Sequence, residues 1–556
     1  MTDLSPYTGR WVALIGNEVA GVGYTAVAAE HAARRSRPRD RFILQFVEAP
    51  GGAKLVLPEL MERLRPLFAQ ETQPVYLVGG AVRDALLGQV SHDLDFVMPA
   101  NAIKLSFRVA DALGVPAYVL DKERDAGRVI LPDTHTYLDF TRFRGPDLEA
   151  DLHGRDFTLN AIALAAAAQT DASLIDPTNG RADLQAGIIR HIHARSLLDD
   201  PVRALRGLRL ALRLGFALAP ETAVAIREAA PQLPTCSTER IRDELLKLLQ
   251  SSQPDTAVRQ MQELGLLAVV WPELAALAGI SQSPPHHEDV LNHTLSVLRW
   301  LALLERGFAG QMERAEVTAR SRFGFAASQK LADYLPHLQA HWQRVVDGGV
   351  DGRTLLRLGA LYHDVGKPET RTVEEGGEPG AASGRIRFFN HDKIGAEITA
   401  RQLHRLTLSN EAVSHVQRIV AGHMRPLLLA QAGPTISRRA VYRYFRATGT
   451  AGLDIAVLSL ADYLAARNGV GDGAGSADEW ERLLGIVGQL LTHYFDRHEE
   501  TVAPPALVNG RDLIEELKLQ PGPEVGRLLR LIQESQAAGD IHTREQALAF
   551  ARQSHL

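Results

Sequence analysis

A chain of 556 residues is too long for one hydrophobic core and implies about three to five domains. Hydrophobic residues at 45% and charged residues at 23% are ordinary for a globular protein, and a net charge of −5 excludes a uniformly basic nucleic-acid coat while leaving room for one basic face. The single cysteine, Cys236, excludes an intrachain disulfide and a cysteine-rich zinc module and reads as a small buried residue. With no basic-then-apolar leader and no apolar run of bilayer length in the sequence, a cytoplasmic protein is expected.

Residues 1–52 read as a small α/β unit of unknown role: strands at Trp11–Ile15 and Phe42–Val47 flank a helix over Thr25–Arg35, and Ala49-Pro50-Gly51-Gly52 is a link. Arg34, Arg35, Arg37, Arg39 and Arg41 read as a solvated charged turn. A helix near Leu57–Phe68 leads to apolar Val75, Leu77 and Val78 and then to Gly79-Gly80-Ala81-Val82-Arg83-Asp84-Ala85-Leu86-Leu87-Gly88. The next strand carries Asp93 and Asp95 two residues apart, hence on one side of its sheet. Paired carboxylates suit a divalent cation such as Mg2+ bound to phosphate oxygens, and a Gly-Gly turn lets backbone amides approach a polyphosphate. Together they point to a metal-bound nucleoside triphosphate, although Asp-x-Asp alone is common at solvated strand ends.

A helix over Ala102–Leu113 is followed by strands at Ala117–Leu120, Arg128–Leu131 and Thr136–Phe143, the last with Asp139 between Leu138 and Phe140. In Asp151-Leu152-His153-Gly154-Arg155-Asp156-Phe157-Thr158-Leu159-Asn160-Ala161, Arg155 offers a planar fork for phosphate, while Asp156 and Asn160 suit ribose hydroxyls or the neighbouring arginine. Farther on, Asp199-Asp200-Pro201-Val202-Arg203 places Asp200 and Arg203 three apart on a helix that Pro201 starts. A carboxylate beside a guanidinium complements the donor and acceptor on the pairing edge of cytosine or adenine and mismatches uracil and guanine. A surface ion pair is the plain alternative, worth only ~0.3–0.5 kcal/mol. Arg206, Arg209 and Arg213 continue near that face as an RNA track or a solvated stripe.

These motifs, in this order, resemble the class II tRNA nucleotidyltransferases, the family of bacterial CCA-adding enzymes and poly(A) polymerases. Gly154 stands where the family usually has a first arginine, and Asp199 replaces a more usual glutamate. The resemblance implies that Asp93 and Asp95, with Asp139 as a third carboxylate, form the catalytic set. It implies that Gly79, Gly80, Arg83 and Arg155 position phosphates and that Asp200 and Arg203 select the base, with Asp156, Asn160, Arg206 and Arg209 also in the nucleotide site. It also carries Asp176–Arg190 as a link from head to neck, and Ser237–Leu245 as a capped helix in which Glu239, Arg240 and Glu244 brace the neck.

From residue 251 onward the apolar periodicity is helical. His293, His363-Asp364, His391, His423 and Asp462 occur in an order that resembles the HD phosphohydrolases, which implies a site for a divalent metal of uncertain identity. The alternative is an HD fold that has lost catalysis and only supports RNA. Lys367 either balances phosphate charge or caps a helix. Gly310–Gly352 reads as an insertion with a basic run Arg314–Arg322, and Gly376–Gly384 and Gly471–Ser476 read as flexible loops.

The expectation is therefore an α+β protein: a nucleotidyltransferase-type α/β head over 55–190, a neck over 191–275 with the base-selecting helix, an HD-type body over 276–470 and a helical, tRNA-binding tail over 477–556. The expected partners are tRNA, CTP and ATP, and the expected reaction is template-independent addition to the tRNA 3′ end. The run from Thr141 to Leu152 leaves little room for the flexible loop of full CCA-adding members, which favours addition of CC alone. A phosphohydrolase with a degenerate RNA-binding head, a poly(A) polymerase and a non-catalytic RNA-binding protein are the rivals.

Overall fold

Leu94, Phe96 and Met98 alternate with Asp93, Asp95 and Val97, so this strand has two unlike faces, and the computed structural model of the chain builds the head sheet around it. The structure describes all residues except 1, 9, 48–53, 311–321, 375–383, 468–473 and 556. It falls into two units, Met1–Gln232 and Leu233–Leu556, a boundary that lies inside the expected neck.

In the first unit, β1 (Trp11–Ile15) pairs with β2 (Glu18–Gly23) and β3 (Ile43–Phe46), and α1 (Ala26–Ser36) packs on them. The Thr25 side chain caps α1 by accepting from the Ala28 amide. β2 was not foreseen: its glycines suit a turn, but Gly21 and Gly23 lie so close under α1 that a Cβ would strike the helix backbone. The expected link at 49–52 lies outside the described residues.

After α2 (Leu60–Ala69) the head runs β4 (Tyr76–Val78), α3 (Gly80–Leu86), β5 (Asp93–Met98), α4 (Ala102–Leu113), β6 (Ala117–Asp121), β7 (Ala126–Leu131), β8 (Thr136–Arg142), α5 (Leu148–His153), β9 (Ala163–Ala165) and β10 (Leu174–Ile175). The seven strands lie in the order β10-β9-β4-β5-β8-β7-β6. β5 and β8 run parallel and pair Asp93 with Tyr137 and Asp95 with Asp139, whereas the other neighbours are antiparallel. One face is sealed by α2 and α4, whose Met61, Leu64, Phe68, Leu105 and Val109 meet Leu94, Phe96, Leu138 and Phe140. Phe96 and Phe140 stack there with ring centres 5.0 Å apart. The other face keeps Asp93 and Asp95. The chain then forms α6 (Gly180–Ala186), α7 (Ser196–Asp199), α8 (Val202–Leu214) and α9 (Pro220–Ala229), with β11 (Ile188–Ile189) and β12 (Ala217–Leu218) paired in parallel.

The second unit is mainly helical. Its Ser237 precedes the helix Thr238–Leu249 as expected, but its side chain makes no capping bond, and Cys236 is half-exposed rather than buried. Within the expected insertion, residues 311–321 are undescribed, but Leu338 and Trp342 of the helix Leu335–Gln343 are core residues. The loop at 376–384 falls almost wholly outside the described residues; of that expected at 471–476, residues 471–473 lie outside them and 474–476 open the helix Ala474–Phe495 instead of a loop. The C-terminal helices Gly510–Leu517, Pro523–Ala538 and Arg544–His555 share a core of Leu513, Leu528, Ile532 and Ala547. Asn509 and Asp512 form a reciprocal capping box at the first of them. Among the described residues no single helix is long and apolar enough to cross a membrane.

Asp454 pins three helices of this unit. Its fully buried carboxylate has His341 Nε2 and His415 Nε2 at 3.0 and 2.7 Å from Oδ2, and Trp342 Nε1 donates to Oδ1 at 2.9 Å. Burial works against charge on both His341 and Asp454, but their attraction wins: His341 is held above its ordinary 6.5 and Asp454 below its ordinary 3.8. The raised His341 contributes stability that is complete below pH 6.5 and lost as pH rises through its folded value. The depressed Asp454 contributes stability that is present above pH 3.8 and lost as pH falls through its lower folded value. Urea unfolding of the wild type should therefore show lower stability at pH 8.5 than at pH 5.5, and Asp454→Asn should reduce both the stability and this pH difference.

Candidate active site

The face of β5 that carries the carboxylates opens into a cleft of about 690 Å3, lined among others by Gly80, Arg83, Asp93, Asp95, Asp139 and Asn160. Asp93 is exposed at the strand end, while Asp95 is half-buried at the cleft wall. Burial pushes the Asp95 carboxyl up, Arg155 opposes this, and Asp139 and Asp93 add to it by repulsion. Gly79, at φ +71°, is required here: a Cβ would stand 3.2 Å from Arg155 Nη1 and 3.3 Å from Asp95 Oδ2. Carboxylates that repel one another at the mouth of a polar cleft are a donor set that fits a divalent cation.

The arginines divide into those held within the protein and those facing the cleft. Arg83 is buried, which pushes its guanidinium pKa down. It donates to Asp84 Oδ1 through Nε and Nη2 at 2.8 and 2.6 Å and to Asn160 Oδ1 at 2.7 Å, so its donors anchor the loop. Asp84 Oδ2 accepts from Arg213 at 3.2 Å. Asn160 donates to Asp156 Oδ1 at 3.0 Å, and Asp156 Oδ2 accepts from Arg206 at 3.3 Å. Burial would raise Asp156, but Arg206, the Asn160 amide and the Phe157 N–H together hold it below the usual carboxylate range. Thus Arg206 and Arg213, both facing the cleft with Arg209, tie α8 to Asp156 and to Asp84 on α3. Arg155 pairs with buried Asp151 at 3.1 Å.

Three expectations change. Asp200 is not on the helix: at φ −146°, ψ 87° it precedes Pro201 and α8, yet still lies 3.6 Å from Arg203 Nε. The fork of Arg203 is occupied by the carbonyls of Arg155 and Gly154, at 3.0 and 3.1 Å, and neither Asp200 nor Arg203 lines the cleft that holds Asp93 and Asp95. Asp139 does reach the site, but Arg128 takes both of its oxygens, each at 2.6 Å. Sequence reading missed Arg128, because its role depends on β7 pairing with β8, and placed Asp84 in its motif without a role.

The six ligand-type residues of the second unit meet as two groups, His293 with His363 and Asp462, and Asp364 with His391 and His423. His363, His391 and His423 each place Nδ1 2.7–2.8 Å from the backbone carbonyl three residues earlier, which aims Nε2 inward. Asp364 lies between the groups: Oδ2 is 3.1 Å from His363 and 2.6 Å from Lys367, and Oδ1 is 3.5 Å from His391. Burial opposes its charge, yet His363 and Lys367 hold its carboxyl far below the usual range. Lys367 therefore pairs with Asp364 rather than capping a helix. Burial, then His391 and His363, depresses His423 to about 4. The buried His293 Nε2 lies 3.1 Å from Asp462 Oδ1, and with His363 Nε2 and Asp364 Oδ2 it converges on one spot, a set of imidazole and carboxylate donors that fits a divalent metal. A fifth histidine beside this group, His286, was missed; its ring packs 4.6 Å from that of His293, and burial with His293 beside it lowers its pKa to about 3.

The head sheet and its cleft define a nucleotidyltransferase, and the model of the poly A polymerase head domain matches residues 75–190. The polymerase A "Probable RNA and SrmB- binding site" model matches 215–277, and that of the HD domain matches 326–467. The A-adding tRNA nucleotidyltransferase of Deinococcus radiodurans is 32% identical over 498 residues, 88% of this chain and 98% of its own. The CC-adding tRNA nucleotidyltransferase of Thermus thermophilus is also 32% identical, over 85% of this chain and 92% of its own. A solved CCA-adding enzyme with CTP shares the fold, with a TM-score of 0.55 at 20% identity over 90% of this chain and 96% of that one. The chain belongs to the tRNA nucleotidyltransferase family.

Gly366 sits against the His391 carbonyl and the Gly395 amide, so that a Cβ would overlap both. Gly366→Ala should cost roughly 1–3 kcal/mol of stability. It should also lower the divalent metal retained, measured by thermal unfolding and by elemental analysis after gel filtration, while nucleotide addition by the head persists.

Proposed function

We propose that this enzyme extends tRNA 3′ ends from CTP without a nucleic-acid template, in the cytoplasm. The observation that carries the reading is the pair Asp93 and Asp95 on one open sheet face, beside a cleft lined by Arg206, Arg209 and Arg213. Mg2+ held by Asp93 and Asp95 would lower the pKa of the RNA 3′-hydroxyl and steady the triphosphate. The hydroxyl oxygen forms a bond to the α-phosphorus as the bond to pyrophosphate breaks. Gly79 and Gly80 bring backbone close to the phosphates, Arg206, Arg209, Arg213 and Arg155 supply positive charge, and Arg83, Asp156 and Asn160 hold that loop in shape. Asp139, neutralised by Arg128, lends shape rather than charge. Asp200 and Arg203 select the base, which requires Arg203 to exchange its carbonyl partners for the base edge.

Only residues 143–147 separate β8 from α5, and this short connection favours addition of CC over complete CCA. The Deinococcus radiodurans relative, at the same identity as the CC-adding one, supports addition of A as the second reading. Transcripts ending before CC, after CC and after CCA, each given labelled CTP or ATP, should show two cytidines added to the first and little incorporation of ATP. Asp95→Asn should lower addition by at least about 100-fold, the scale of losing a principal charge at a reacting phosphate, without unfolding the head. Excess EDTA should do the same to the wild type.

The expected domains follow this reading, with the tail at 477–556 holding the outer part of the tRNA. For the second unit, the converging His293, His363 and Asp462, and Asp364, His391 and His423, support a phosphohydrolase. Release of a phosphomonoester from a 2′,3′-cyclic nucleotide, abolished by Asp364→Ala while nucleotide addition continues, is the expected result.

A further inference from the structure

The sheet face that bears Asp93 and Asp95 continues beyond them to the edge strand. Pairing sets Tyr137 beside Asp93 and Asp139 beside Asp95, Arg128 beside Asp139, and Tyr118 beside Arg128. Directly paired residues point to the same face, so Asp95, Asp139, Arg128 and Tyr118 form one row from the carboxylates to β6 at the edge. Tyr137 stands next to that row, its ring centre 5.3 Å from the Arg128 guanidinium carbon. Tyr137 and Arg128 line the cleft, and Tyr118 is 42% exposed. The buried side chains of β8 are the alternate ones, Thr136, Leu138 and Phe140, so the core does not account for Tyr137.

The charge of Arg128 is matched by Asp139 through two short bonds, so the row is a poor phosphate clamp. What it offers is flat π surface: two phenol rings and a guanidinium plane locked by its fork. An unpaired nucleobase is the ligand for such a surface, since every base has a π face. The cations that suit a triphosphate lie elsewhere, on α8, which is clamped to α3 through Arg213 and Asp84. α3 adjoins β4 and β5, on the other side of β5 from β8. In-line displacement sets the attacking oxygen opposite the departing pyrophosphate, so the strand that brings the hydroxyl enters over β8, β7 and β6.

We infer that Tyr137, Arg128 and Tyr118 form an acceptor subsite on which unpaired bases at the RNA 3′ end stack while the terminal hydroxyl reaches Asp93 and Asp95. This rests on the nucleotidyl-transfer reading above. The test uses the full chain with Mg2+ and an RNA acceptor carrying 2-aminopurine at its 3′-terminal position, whose fluorescence falls on stacking. Wild type should quench it, Tyr137→Ala and Tyr118→Ala should leave it bright, and Tyr137→Phe should restore quenching. In steady state the two alanine variants should raise KM for the RNA about 10-fold, within the range for loss of one stacked base, with KM for CTP unchanged within about twofold. A rise in KM for CTP with KM for RNA unchanged would assign the rings to the nucleotide and overturn the inference, and so would variants indistinguishable from wild type in both measurements. Quenching requires no turnover. A protein that quenches as described yet adds no nucleotide to any acceptor would refute the transfer reading and leave the subsite standing.

Discussion

The head is arranged around a repulsion. Parallel pairing of β5 with β8 brings Asp93, Asp95 and Asp139 onto one face, and partial burial at Asp95 reduces the screening of its charge. The fold answers with fixed positive charge at two places: Arg128 closes on both oxygens of Asp139, and Arg155 stands at the Gly79 turn beside Asp95. Asp93 and Asp95 remain turned toward the cleft. The apolar face beneath, with Phe96 stacked on Phe140, keeps the strands from relaxing away from this arrangement.

Much of this was legible in the sequence because it is local. Alternation alone predicts that Asp93 and Asp95 share a face, and positive φ at Gly79 follows from a turn that needs it. What escaped depends on pairing between distant segments. Arg128 could be assigned to Asp139 only once β7 was known to lie against β8, and Arg213 meets Asp84 across 129 residues. The same holds for Arg203: its spacing from Asp200 is a local fact, but the carbonyls that occupy its fork come from Gly154 and Arg155. Strand β2 escaped for the opposite reason, since glycines that normally signal a turn here make room for α1.

In the second unit the order of histidines and aspartates was readable, but their grouping was not. His363 and His423 follow directly on the last residues of their helices, where the backbone carbonyl three residues earlier is left over for Nδ1, and His391 opens its helix with the same bond to Phe388. Helix ends thus orient the rings, and Asp364 joins the two groups through its separate oxygens. His341, His415 and Asp454 use the same side-chain types, yet there the carboxylate is fully satisfied by two rings and an indole, which makes it a fastening between helices.

Arg206 and Arg213 are seven positions apart, two turns of one face of α8, and each grips one end of the chain of bonds that runs through Asp84, Arg83, Asn160 and Asp156. Held at two separated points, α8 resists rolling against α3 more than a single pair would allow. A tilt of α8 therefore moves α3 with it, and with α3 the turn at Gly79 from which that helix starts.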